Sequence, residues 1–106
     1  MPKYLAHASY TVEGLKGLIK DGGTRRREAV EQLAKGVGGT VEAFYYAFGD
    51  DDLFVIFDLP DNVSATTASM VVNASGAVNA KVTVLLTPEE IDQATKKSLD
   101  YIPPGQ

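Results

Sequence analysis

FGDDDLFVIFDLPD, residues 48–61, runs from three consecutive aspartates into an apolar stretch that Pro60 closes. The apolar part has the length and residue types of a β-strand. Side chains alternate between the two faces of a strand. Leu53, Val55, Phe57 and Leu59 take one face; Phe54 and Ile56 take the other. A strand in an antiparallel sheet with one wet face alternates between apolar and polar residues. This one is apolar on both faces, so both faces need cover.

Working outward, TVEAFYYAF at 40–48 reads as the preceding strand, with GDDD as the turn of a hairpin. Val41, Ala43, Tyr45 and Ala47 take one parity; Phe44, Tyr46 and Phe48 take the other. After Pro60, Asp61 caps a helix whose apolar side is predicted at Val63, Thr67, Met70, Val71 and Ala74. SGA at 75–77 ends it, and VNAKVTVLL at 78–86 is a further strand. TPEE at 87–90 is a capping box with Pro88 first in its helix, and that helix carries Ile91, Ala94 and Leu99. At the other end KYLAHASYT, 3–11, reads as a strand with Tyr4, Ala6, Ala8 and Tyr10 on one face. Thr11 caps a short helix, DGG at 21–23 interrupts it, and Thr24 opens a longer one. In that helix Val30, Leu33, Ala34 and Val37 form one stripe, which GVGG terminates.

The order is β, α, β, β, α, β and a last helix. It predicts an α+β, ferredoxin-like sandwich over residues 1–100 with a tail at 101–106. Helices cover one face of such a sheet. The other face keeps a large aromatic patch whichever parity turns inward, and a patch of that kind marks an interface. A homodimer pairing sheet to sheet is expected, with higher assembly left open. Burying about 500 Å² of apolar area per subunit is worth on the order of 10 kcal/mol before association costs. The alternative cover is the C-terminal helix folded back over that face. The aspartates of the turn then serve solubility and discourage edge pairing.

Composition narrows function by exclusion. The chain of 106 residues has no cysteine, which removes disulfides, thiolate metal sites and cysteine nucleophiles. The net charge of −4 disfavours nucleic acid as a partner. No apolar run approaches the roughly 20 residues of a membrane span, so no membrane partner and a cytoplasmic location are expected.

A few residues can carry chemistry. His7 is the single histidine, placed within a strand, and can act as base or acid near neutral pH. One histidine without cysteine makes no zinc site, and the chain is short for a haem pocket, so no metal or cofactor is expected. Asp58 and Lys81 sit in otherwise apolar strands and are read either as a structural ion pair or, with His7, as a polar cluster on one face. Tyr46 and Asn79 lie near that cluster in the expected order. Tyr4, Tyr10, Tyr45 and Tyr46 can line an apolar pocket with hydroxyl handles, or simply pack the sheet. TRRRE at 24–28 is basic at a helix start, where the dipole disfavours cations, and is read as a solvated face. DGG and GVGG lack the residues of a phosphate loop.

The chain resembles the GYD-domain proteins. The likeness is carried by YTVEGLKGL, GGT, EAFYYAFG, a strand ending LPD, VNASGAV and VLLTPEE. Gly49 and Asp52 match the name-giving glycine and aspartate, while Asp51 stands where the family usually has tyrosine. The resemblance implies a ferredoxin-like domain of the dimeric α/β-barrel group, which includes cofactor-free monooxygenases, isomerases and haem enzymes. Fold kinship of that breadth does not carry activity. Three functions stay open. One is a homodimeric module binding a small apolar or aromatic metabolite, with Tyr10, Tyr45, Tyr46 and Lys81 as ligand-binding residues. Another is a cofactor-independent enzyme with His7 as base and Asp58 or a tyrosine as its partner. The third is an assembly subunit without a pocket.

Overall fold

A computed structural model describes all residues, 1–106. The elements run β1 Lys3–Tyr10, α1 Val12–Asp21, α2 Gly23–Gly36, β2 Thr40–Tyr46, β3 Leu53–Asp58, α3 Asn62–Ala74, β4 Val78–Leu85 and α4 Pro88–Thr95. The four strands form one antiparallel sheet in the order β2-β3-β1-β4. This is the ferredoxin-like α+β arrangement. The doubly apolar β3 and the opening strand β1 are the two central strands, where neighbours on both sides satisfy their backbone groups.

The helices start where short polar side chains meet free backbone donors. Thr11 accepts from the Gly14 N–H, and Asp61 accepts from the Ser64 N–H at 2.8 Å. Thr87 and Glu90 close a reciprocal capping box. Such caps are each worth about 1 kcal/mol. Gly22, at φ 85°, breaks α1 from α2 in a backbone region that glycine enters cheaply.

One sheet face meets the helices. Tyr4, Ala8, Leu53, Val55, Leu59 and Val78 are buried there, joined by Ala34 from α2 and Ala65 from α3. Tyr4 is 2% exposed, and its hydroxyl donates to Asn62 Oδ1 at 2.7 Å, so its one polar atom is satisfied.

Three expectations change. The parity of β2 breaks at a bulge between Val41 and Ala43, so Val41 pairs with Phe57 and Phe44 with Val55. Val41, Phe44 and Tyr46 therefore share the helix side, and Ala43 and Tyr45 take the other; uninterrupted alternation would not allow this. The strand ends at Tyr46, because Phe48 adopts φ 55°, outside any strand geometry. In α3 the inward residues are Ala65, Ala68, Ser69 and Val72, whereas Val63 and Met70 of the predicted stripe are 75% and 66% exposed. Small side chains let most of the helix approach the sheet closely, and Val63 and Met70 are left outside.

Nor does the C-terminal helix fold back. α4 has no substantial packing on any other element. With residues 96–106 it extends the molecule to 57 × 33 × 22 Å, and the radius of gyration is 17.0 Å against about 13 Å for a compact chain of this length. The face away from α1, α2 and α3 is thus open, with Tyr45 71% and Phe54 38% exposed.

Candidate functional site

The two main helices leave a gap over the middle of the sheet. α2 packs on the edge strand β2, and α3 on the opposite edge strand β4, with no substantial contact between the two helices. The walls beneath and beside that gap are small: Ala6, Ala8 and Ala80 on strands, Ala29 and Ala68 on helices. Leu33, Val55, Phe57 and Val72 complete an apolar lining. The result is a cavity of about 290 Å³, at the small end of the range for ligand sites.

Its lining carries two strong polar groups, Tyr10 and Arg26. Tyr10 ends β1 and lies beside Tyr46, whose hydroxyl donates to the Gly23 carbonyl at 2.9 Å in the first turn of α2. Burial pushes the Tyr10 hydroxyl up to about 12; Tyr46 adds to this and Arg26 opposes it. Tyr10 is therefore protonated at neutral pH and available as a donor. Arg26 has no carboxylate within ion-pair distance, although Arg27 beside it reaches Glu31 at 3.8 Å.

A second polar group lies across the sheet. His7 Nδ1 is 3.2 Å from Asp51 Oδ2, and the Ser9 hydroxyl donates to Asp51 Oδ1 at 3.5 Å. Phe54 and Lys81 flank His7 on the neighbouring strands. Asp51 comes from the turn read as a solubility device. A carboxylate on Nδ1 orients the ring and leaves Nε2 free as an acceptor.

His7, Asp58 and Lys81 do share the open face, but they do not converge. Asp58 pairs with Lys3 at 2.7 Å, not with Lys81, and Lys3 also reaches Glu42 at 3.2 Å. The register is the reason: Lys3 lies opposite Asp58, while His7 lies opposite Lys81. Lys3 and His7 are four steps apart along β1, roughly 13 Å, and so are the two polar groups. Those two acceptors raise the Lys3 pKa, Asp58 first and Glu42 second. Of the tyrosines, Tyr10 lines the cavity, Tyr46 supports it and Tyr4 is core, while Tyr45 lies on the open face with Lys81. Nowhere do three or more His, Cys, Asp or Glu side chains gather in a group that could hold a metal ion.

Asp52 ties the turn to β1. Its carboxylate accepts the Tyr10 N–H at 2.9 Å, and its own N–H donates to the Ala8 carbonyl at 2.8 Å. The name-giving aspartate of the resemblance thus holds in place the strand end that carries Tyr10. The family model for the GYD domain matches residues 4–95. The chain belongs to the GYD-domain family. The match covers every strand and helix of this GYD-domain protein, from Tyr4 in β1 to Thr95 at the end of α4. No curated protein gives a significant match, and no solved structure does. No helix of the GYD-domain protein is long and apolar enough to cross a membrane.

Two residues of these sites escape the sequence reading. The basic run reads Arg26 as part of a solvated face, yet Arg26 lies four residues before Val30, on a backward extension of the stripe Val30, Leu33, Ala34 and Val37. That spacing was a usable signal. Asp51 offered none, since its approach to His7 depends on the path of the turn.

Proposed function

We propose that this protein is a homodimer that binds a small apolar molecule, with an alkyl or aryl body, between its sheet and helices. The cavity is the observation that carries this reading. It is largely apolar, partly enclosed and lies over the central strands, where Ala6, Ala8 and Ala80 leave room beneath the helices. Emptying such a space of poorly hydrogen-bonded water favours an apolar occupant. Dimerisation through the open face is supported by the exposed Tyr45 and Phe54 and by the absence of a covering helix.

The test uses a neutral probe, 3-phenylpropanol, titrated into the full chain and followed by amide NMR. Shifts confined to residues around Ala6, Ala80 and Ala68 are expected. Ala68→Leu fills the cavity without weakening α3 and should remove them. No shifts, or shifts scattered over the open face, would overturn the reading.

A cofactor-independent enzyme using His7 is the second reading. The contact with Asp51 favours it, because it fixes the ring as a base does require. His7 and the cavity are on opposite sides of the sheet, so such chemistry belongs to the dimer face and not to the cavity. For that reason it stands second.

A further inference from the structure

Arg26 and Tyr10 make the cavity asymmetric, and the asymmetry has a chemical meaning. We propose that the cavity selects an apolar acid, with a carboxylate held by the Arg26 guanidinium and the Tyr10 hydroxyl and an alkyl or aryl body lying over Ala6, Ala8 and Ala80. This rests on the cavity being a ligand site, as proposed above, and adds the charge of the ligand.

Counter-charge is the first argument. Arg26 is half-buried against an apolar space, and no carboxylate of the protein lies within ion-pair distance. The first turn of α2 holds no acidic residue. A cation placed against apolar surface without a partner is costly, and a ligand carboxylate would compensate it. The planar guanidinium matches a carboxylate with two parallel hydrogen bonds, which a lone ammonium would not.

Donor polarity is the second. Tyr46 donates to the Gly23 carbonyl, and that bond commits its proton. The Tyr10 hydroxyl keeps its proton at neutral pH and makes no hydrogen bond of 3.5 Å or less within the protein, although the Tyr46 hydroxyl and the Arg26 guanidinium both lie beside it. Two donors and no acidic side chain therefore meet at one end of a space whose remaining lining is apolar apart from Ser69 and Ser75. An amine or a carbonyl-rich ligand gains less there than an acid.

The size of the cavity sets the ligand. At about 290 Å³ it suits on the order of ten non-hydrogen atoms, given about 30 Å³ for a water. A short fatty acid or an arylalkanoic acid fits that range.

The experiment compares 3-phenylpropanoate, 3-phenylpropanol and 3-phenylpropylamine, which share one body, by calorimetric or NMR titration of the full chain at neutral pH. The acid is expected to bind at least about tenfold tighter than the alcohol, and the amine more weakly than either. Added salt should reduce the preference for the acid and leave the alcohol unchanged. Arg26→Gln should reduce the acid to the affinity of the alcohol while the alcohol is unaffected, which also shows the variant folded. If the alcohol binds and the acid binds no tighter, the charge assignment is overturned and the cavity reading stands. If no member of the series binds at the cavity, both are overturned.

Discussion

At the scale of single residues, Gly14 shows how closely the chain packs where it has to. A Cβ at Gly14 would come within 1.9 Å of the Ala77 carbonyl oxygen, a backbone atom that cannot step aside. At Gly17, three residues on in the same helix, nothing lies within 4 Å. The same substitution should therefore have opposite signs at the two sites. Gly14→Ala is expected to destabilise by roughly 1–3 kcal/mol through overpacking. Gly17→Ala should stabilise by about 0.5–1 kcal/mol through the lower entropy of the unfolded chain. Urea unfolding of both variants decides it, and equal effects would mean that α1 can move off Ala77. Residue identities made part of the candidate sites legible. The parity of KYLAHASYT puts Tyr10 and His7 on opposite faces, as found, while which face meets the helices is not legible from it. Partners were not legible, because pairing depends on register. A shift of a few residues turns an expected Asp58–Lys81 pair into Asp58–Lys3 and gives His7 an acid from a turn.

At the scale of elements, helix starts were the most legible features. They depend on local chemistry that the chain states directly. Asp61 also makes α3 sensitive to acid. Its carboxyl lies below the usual carboxylate value of 3.8, held there by the Ser64 N–H first and the Ser64 side chain second. A carboxyl lowered in the folded state contributes stability above its unfolded value, and that contribution fades as the pH drops through the lowered one. Asp61→Ala should therefore lower the urea midpoint at pH 7. The gap between variant and parent should shrink once the pH falls below 3.8. Asp61→Asn, which keeps the cap without the charge, should lie between the two at pH 7. Unfolding curves from pH 7 to 3 test this, and a gap that stays constant to pH 3 would mean that ionisation of Asp61 adds nothing. The faces of elements were harder to read than their ends. Periodicity finds large apolar residues, and in α3 Val63 and Met70 point outward while Ala65, Ala68, Ser69 and Val72 face the sheet. The bulge in β2 has no signature in TVEAFYY, since Glu42 fits a strand as well as an irregularity.

At the scale of the whole molecule, the single chain leaves too much apolar surface uncovered. Nine of its 106 residues are buried, and α4 has no substantial packing on any other element of its own chain. Tyr45, Phe54 and the half-buried Leu5 and Ile56 lie on one open sheet face. Their neighbours there include the Lys3–Asp58 and His7–Asp51 contacts, which are paired within the subunit so that covering them strands no lone charge, and Lys81, which has no ion-pair partner in its own chain and needs an acceptor from the other copy or a path to water. A second copy presenting the same face would supply the missing layer, because a two-fold interface is self-complementary. Light scattering behind a sizing column, over a range of concentrations, should give twice the chain mass. Phe54→Lys puts a charge at the centre of that face and should cost roughly 2 kcal/mol or more of association, at least a thirtyfold weaker dimer. Met70→Lys, on the outward face of α3, should leave the mass unchanged and controls for charge alone. If the parent chain is a monomer at every concentration, or if Met70→Lys dissociates the dimer and Phe54→Lys does not, the subunits do not meet through the sheet. The His7–Asp51 contact would then face water, where a base gains nothing from enclosure, and the ligand reading would rest on the helix-side cavity alone.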